Sequence, residues 1–190
     1  MADFEDLRIV KTRQKLFSAL AELLVEKRFD QISVSEIAQA AHISRATFYH
    51  HFADTTALVA VYQQGVMTRI VQVVRHNDYN PTYFLSQLMP FLDSEGALLG
   101  RLLSDNGTLT IQNQFKQGMR QIFRTKMLAH LNTTGIDMTN ETVVDYLIIF
   151  WTSAIFGVVQ AWLTTGKRES PAELAVIFKQ IVPDNLTTSM

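Results

Sequence analysis

The chain has 190 residues, a formal net charge of −1 and no cysteine, with 47% apolar and 18% charged residues. That apolar share supplies enough surface to offset chain entropy, which argues against disorder, and the length suits one or two domains. The lack of cysteine excludes disulfides, thiolate metal sites and cysteine nucleophiles; the polar start MADFEDLRIVKTRQ has no signal-peptide layout, so a cytoplasmic protein is expected.

No β-type alternation persists, and apolar residues recur at spacings of three and four, so the expected fold class is all-α with about nine helices. The first helix, near Arg8 to Lys27, sets Ile9, Leu16, Leu20 and Leu23 on one stripe, widened by Phe17 and Leu24. Ser33 and Glu36 form a capping-box pattern, with Ile32 stapling onto Ile37, and open a short helix from Val34 to about Ala41. Ser44 repeats the device. Ile43 precedes it and Phe48 holds the fourth helical position, so a second short helix runs through His51 or Phe52.

After Asp54 a longer helix is expected to about Arg75, broken by His76-Asn77-Asp78. Asn80 and Pro81 read as N-cap and first residue of the next helix, which Pro90 should kink or end. A short helix then spans Gly96 to Leu103, before the Asp105-Asn106-Gly107 turn. Helix seven is expected over Leu109 to Leu131, and Thr133 to Asn140 connects it to an apolar helix from Glu141 to about Thr165. Gly166-Lys167-Arg168 ends that helix, and Ser170-Pro171-x-Glu173 starts the last, which should stop before Pro183.

Residues 8 to 52 carry seven cations against four carboxylates, so this segment is basic and the remainder acidic, a distribution that suits phosphate contact at one end. A helix reads bases only if it is short enough for the major groove and braced by an apolar back. Residues 33–52 meet both conditions. Phe48, His51 and Phe52 fall at i, i+3 and i+4 and should pack inward, leaving Arg45, Ala46, Thr47, Tyr49 and His50 outward. That face offers a guanidinium, a hydroxyl, a phenol and an imidazole to base edges and phosphates, and Ala46 permits approach to a thymine methyl. The same spacing also fits a polar surface helix that touches nothing.

The run ISVSEIAQAAHISRATFYHHF resembles the helix-turn-helix of TetR (tetracycline repressor-like) regulators, and the likeness extends back through KTRQKLFSALAELLVEKRFD. The stretch GVVQAWLTTGKRESPAELAVIF is similar to a ligand-domain type of TetR-like regulators of Gram-positive bacteria, including those related to dihydroxyacetone-kinase activators. The resemblance implies a transcription regulator, a repressor by expectation, that binds double-stranded DNA at a palindromic operator as a homodimer. It further implies a three-helix DNA-binding domain over 1–54, with the motif at 33–52, and a helical dimerisation and effector-binding domain over 55–190. Recognition-helix roles fall to Arg45, Ala46, Thr47, Tyr49 and His50, with Ser44 at the helix start and Tyr49 as phosphate contact. Ser33 and Ser35 match positions that meet the DNA backbone, where a helix N-terminus is a natural phosphate ligand. Lys11 and Arg13 either reach flanking phosphates or form a solvated helix end.

Two departures stand out. His42 occupies a turn position where the family usually has glycine, and histidine tolerates the left-handed backbone expected there. The family also often places lysine just after the recognition helix, whereas this chain has Asp54-Thr55-Thr56, which removes one anchoring charge.

Residues 146–166 carry no charge and are long enough to cross a bilayer, which takes ~20 apolar residues. Ser153, Gly157 and Ala161 form a small-residue ladder suited to packed spanning helices; Thr152, Gln160, Thr164 and Thr165 and the lack of a second span argue against a membrane. The soluble reading buries this helix partly in its own subunit and partly against a twofold mate, and the resemblance implies that it and the last helix form half of a four-helix dimer bundle. Phe84, Leu88, Phe91, Phe115, Met119, Phe123, Phe150 and Trp151 are candidates to line an apolar pocket for a small-molecule effector, or are core. No catalytic or metal-binding constellation and no cofactor motif is found: His50 and His51 point about 100° apart on a helix, and His76 and His130 are isolated. The alternatives to a DNA-binding regulator are a helical module that binds a partner protein through a degenerate helix-turn-helix, or a membrane-associated helical protein.

Overall fold

The expected stripe on the first segment does form a helix. In the computed structural model, which describes residues 2–75, 81–128, 135–166 and 168–181, helix α1 spans Ala2–Leu23, and Leu16, Leu20 and Leu24 are fully buried. Eight more α-helices follow among the described residues: α2 (Val34–Ala40), α3 (Arg45–His51), α4 (Thr55–Arg75), α5 (Pro81–Ser94), α6 (Gly96–Leu103), α7 (Leu109–Ile122), α8 (Glu141–Thr164) and α9 (Pro171–Ile181). No strand occurs among these residues, so the fold is all-α. The break at 76–78, the N-cap at Asn80 and the stop before Pro183 lie outside the described residues.

The chain forms two compact units, one of residues 1–65 with 97–112 and the other of residues 66–96 with 113–190. The first therefore takes in more than the 1–54 segment expected from the sequence. Its core is aromatic as well as aliphatic: Phe17 lies 6.4 Å from Phe52 and 5.2 Å from Tyr62, ring to ring, and Phe48 lies 5.9 Å from Phe52. These rings brace α3 from behind. The α6–α7 turn belongs to the same unit because Asn106 stitches it to the end of α1. The Phe29 amide donates to the Asn106 carbonyl at 2.8 Å, and Asn106 Nδ2 donates to the Leu24 carbonyl at 2.8 Å.

In the second unit α5 packs against α9. Pro90 does not end α5, which continues to Ser94, and its side chain is exposed. Helix seven starts at Leu109 as expected, and its expected end at Leu131 lies outside the described residues. Its α-helical part stops at Ile122 and a π-helical turn follows over Phe123–Met127, with the Leu128 amide bonded to the Phe123 carbonyl. The wider turn re-phases the helix: Ile122 and Phe123 are both buried, while Arg124 reaches out to an ion pair with Asp145.

Helix α8 begins at an Asn140 cap, whose side-chain oxygen accepts from the Thr142 and Val143 amides, and ends before Gly166 in a left-handed conformation at φ 85°. Val144, Ile148, Trp151, Thr152, Phe156, Val159, Trp162 and Leu163 form its buried stripe. The rest of α8 is not enclosed by its own chain: Tyr146 is 69% and Phe150 63% exposed, and nothing lies within 4 Å of a Cβ built at Gly157. Among the described residues α8 is the one helix long and apolar enough to cross a membrane. At α9 the Ser170–Glu173 capping box forms as expected, with the Ser170 amide on the Glu173 carboxylate at 2.8 Å and the Glu173 amide on Ser170 Oγ at 3.3 Å.

Candidate nucleic-acid interface

The helix-turn-helix is built from local hydrogen bonds that can be followed residue by residue. Ser33 caps α2 in a reciprocal box: its Oγ accepts the Glu36 amide at 3.3 Å, while its own amide and hydroxyl donate to Glu36 Oε2 at 2.9 and 2.7 Å. The other Glu36 oxygen pairs with Lys27 at 2.5 Å. Lys27 first, and then the Ser33 hydroxyl and amide, hold the Glu36 carboxyl down at about 2. Two of the seven cations between 8 and 52 are thus paired within the chain, Lys27 with Glu36 and Arg28 with Asp30 at 3.3 Å.

His42 adopts φ 54°, the left-handed conformation expected of it. It follows the α2 C-cap at Ala41; the His42 amide reaches the Gln39 carbonyl at 3.0 Å and the Ile43 amide the Ala38 carbonyl at 2.9 Å. That pair of bonds is a Schellman closure, which sets the direction in which α3 leaves the turn. Ser44 then caps α3, accepting the Thr47 amide at 3.0 Å and sharing a 2.8 Å hydrogen bond with the Thr47 hydroxyl.

On α3 the division into faces follows the expected spacing. Phe48 and Phe52 are buried, and Arg45, Ala46, Tyr49 and His50 are exposed, Tyr49 by 50% with its ring edge-on to Phe48 at 5.8 Å. Thr47 is half-buried on the flank. His51 is half-buried rather than fully enclosed; burial first, then His50 and Arg13, push its imidazole below the ordinary histidine value. Ser35 is exposed in the first turn of α2, whereas the Ser33 amide and hydroxyl are committed to Glu36. Lys11 is exposed, but the Arg13 guanidinium turns inward over the Phe52 ring, 5.8 Å from its centroid, with its Nε buried and unpaired. Asp54 caps α4 by accepting the Ala57 amide at 2.7 Å, so the residue standing near the absent lysine has a local structural task.

A half-open groove of about 600 Å³ runs between α1 and α3, lined by Arg8, Ile9 and Thr12 on one side and Ile43, Ala46, Thr47, His50 and His51 on the other. Sequence reasoning counted Arg8 in the basic segment but did not single out Arg8 or Thr12. The available signal was their i, i+4 spacing on the polar face of α1.

The aromatic set proposed for an effector divides. Leu88, Phe115, Phe123 and Trp151 are buried, and Phe91 and Met119 are half-buried. Phe123 stacks on Trp151 at 6.4 Å within a packed cluster with Val144 and Ile148. Phe150 departs from the expectation: at 63% exposure it lines no interior space of the single chain, because adjacent positions on a helix point about 100° apart and Trp151 takes the inner side. The Phe84 side chain lies outside the described residues.

Comparison with known proteins agrees with this architecture. Residues 16–62 match the family described as bacterial regulatory proteins, tetR family, and residues 79–184 match one described as a transcriptional regulator C-terminal region. The chain is 20% identical over 187 residues to the HTH-type transcriptional repressor DhaR of Mycobacterium sp. (strain GP1), a match covering 90% of this chain and 92% of that protein. A 67-residue stretch is 36% identical to the uncharacterized HTH-type transcriptional regulator YxbF of Bacillus subtilis (strain 168), covering 35% of this chain and only 18% of that protein. Among solved structures, the dihydroxyacetone kinase operon activator DhaS has the same fold, with a TM-score of 0.61 at 18% identity over 95% of this chain and 99% of that one.

Proposed function

Because the chain belongs to the TetR family of DNA-binding transcription regulators, we propose that it represses transcription as a homodimer, seating two copies of α3 in the major groove of a palindromic operator. The observation that carries this reading is the division of α3 into a buried aromatic back and an exposed polar front of Arg45, Ala46, Tyr49 and His50. Arg45 and His50 are the base-edge donors, Tyr49 the phosphate contact and Ala46 the point of close approach; Ser35 meets the backbone at the start of α2. Ser33, Ser44 and Thr47 hold the two helix starts in place. Repression is inferred from the relation to DhaR. The family is one of regulators rather than enzymes, and a cytoplasmic location follows from work on DNA.

Two exposed faces support the dimer. Tyr146, Ile149 and Phe150 on α8 and Val176 and Ile181 on α9 leave apolar surface in water, and the exposed Ser153, Gly157 and Ala161 leave room for a facing helix. A membrane would cover the same α8 surface, but the opposite side of that helix is committed to the chain's own core. An effector bound in the second unit would act by favouring one separation of the two heads.

A gel shift with the DNA upstream of the gene tests the reading. A palindromic footprint, lost on Tyr49→Ala with the fold intact, is expected; no footprint on any neighbouring promoter overturns it in favour of a protein-interaction module.

A further inference from the structure

The exposed front of α3 does not account for the groove beside it, and we propose that this groove seats one sugar-phosphate strand of the operator, with Arg8 of α1 as the phosphate ligand. The inference rests on α3 being the reading helix. Ala46 and His50, one turn apart, belong both to the exposed front of α3 and to the groove wall. The major groove is about 12 Å wide and a helix with its side chains about 10 to 12 Å across, so a seated helix fills it and both strands run along its flanks. The strand on the α1 side therefore passes over the Arg8 groove.

The lining suits that strand. None of the eight described lining residues is acidic; Arg8, His50 and His51 supply nitrogen groups, and Ile9 and Ile43 give apolar surface on which a deoxyribose can rest. The Thr12 hydroxyl already donates to the Arg8 carbonyl at 2.9 Å, which leaves the exposed Arg8 guanidinium as the donor for phosphate. Contact of this kind positions the head without reading sequence.

The test is binding of the full chain to operator and to an unrelated duplex by fluorescence anisotropy over a range of salt. Arg8→Gln should weaken both by about tenfold, and the slope of log affinity against log salt should fall by about one, with Arg8→Lys restoring most of the loss. A scan of single methylphosphonate substitutions in the operator should contain one position that weakens the wild-type chain and leaves Arg8→Gln unaffected. Unchanged affinity and slope in Arg8→Gln, or a scan with no such position, overturns the groove assignment while Tyr49→Ala still reports on α3. Absence of operator binding by the wild-type chain overturns both.

Discussion

Gly107→Ala is expected to loosen the first unit. A Cβ built at Gly107 falls 1.9 Å from the Leu102 carbonyl oxygen and 2.6 Å from its carbon. The obstacle is backbone at the end of α6, so no side chain can swing aside, and ordinary contact near 3.5 Å requires the turn to move by about 1.5 Å. That movement carries Asn106, whose bonds to Phe29 and Leu24 are both 2.8 Å long and would be broken by it. Overpacking costs about 1–3 kcal/mol and each lost hydrogen bond about 1, so the total is about 3–5 kcal/mol. For a chain of this length that is a fall in melting temperature of about 10 °C. Circular dichroism on heating measures it, and hydrogen exchange at the Phe29 amide locates it. Asn106→Ala, which removes only the side-chain bond, should cost about 1–2 kcal/mol. A Gly107→Ala chain that melts within about 1 °C of wild type, or keeps its Phe29 amide protected, refutes the reasoning.

Three further outcomes are expected. His42→Gly should raise the urea midpoint by about 0.5–1 kcal/mol in free-energy terms, because glycine meets φ 54° without the Cβ penalty that histidine bears. The Glu36 carboxyl titrates near 2 in the folded chain against an ordinary 4.5, so its stabilisation is complete above 4.5 and lost as pH falls toward 2; Glu36→Gln should remove that part of the acid-unfolding curve. Tyr146→Asp combined with Phe150→Asp should shift the chain toward monomer in sedimentation velocity, and an unaltered dimer would place the interface elsewhere.

The features legible in sequence are those made by neighbours along the chain. Ser33 with Glu36, Ser44 before Phe48, and Ser170 with Glu173 fix helix starts through bonds spanning three residues, and each start falls where the pattern placed it. The inward and outward faces of α3 were legible for the same reason, since period and helix length settle them. What escaped depends on distant partners. The contact between Asn106 and Leu24 crosses 82 positions, and the groove needs Arg8 and His50 on different helices. Of the two outcomes expected at Pro90, a kink or an end, the end does not occur, since α5 continues to Ser94. The π turn at Phe123 depends on burial of adjacent Ile122 and Phe123, which no single α-helical stripe encodes.

The anchoring of the reading head depends on a balance of charge. Sequences of this family often carry lysine after the recognition helix, and here Asp54 stands near that place, fixed by its cap to Ala57. A carboxylate at the edge of the interface opposes phosphate, so cations elsewhere must compensate. Lys27 and Arg28 are paired internally, and Arg13 lies over Phe52, which leaves exposed Arg8, Lys11, Lys15 and Arg45 as the described cations of this segment best placed to act. Three of those four lie on α1. The electrostatic hold on DNA is therefore expected to lie mainly on α1, and a lysine introduced at Thr55, which leaves the Asp54 cap in place, should add less affinity in the wild-type chain than in Arg8→Gln if both serve the same strand.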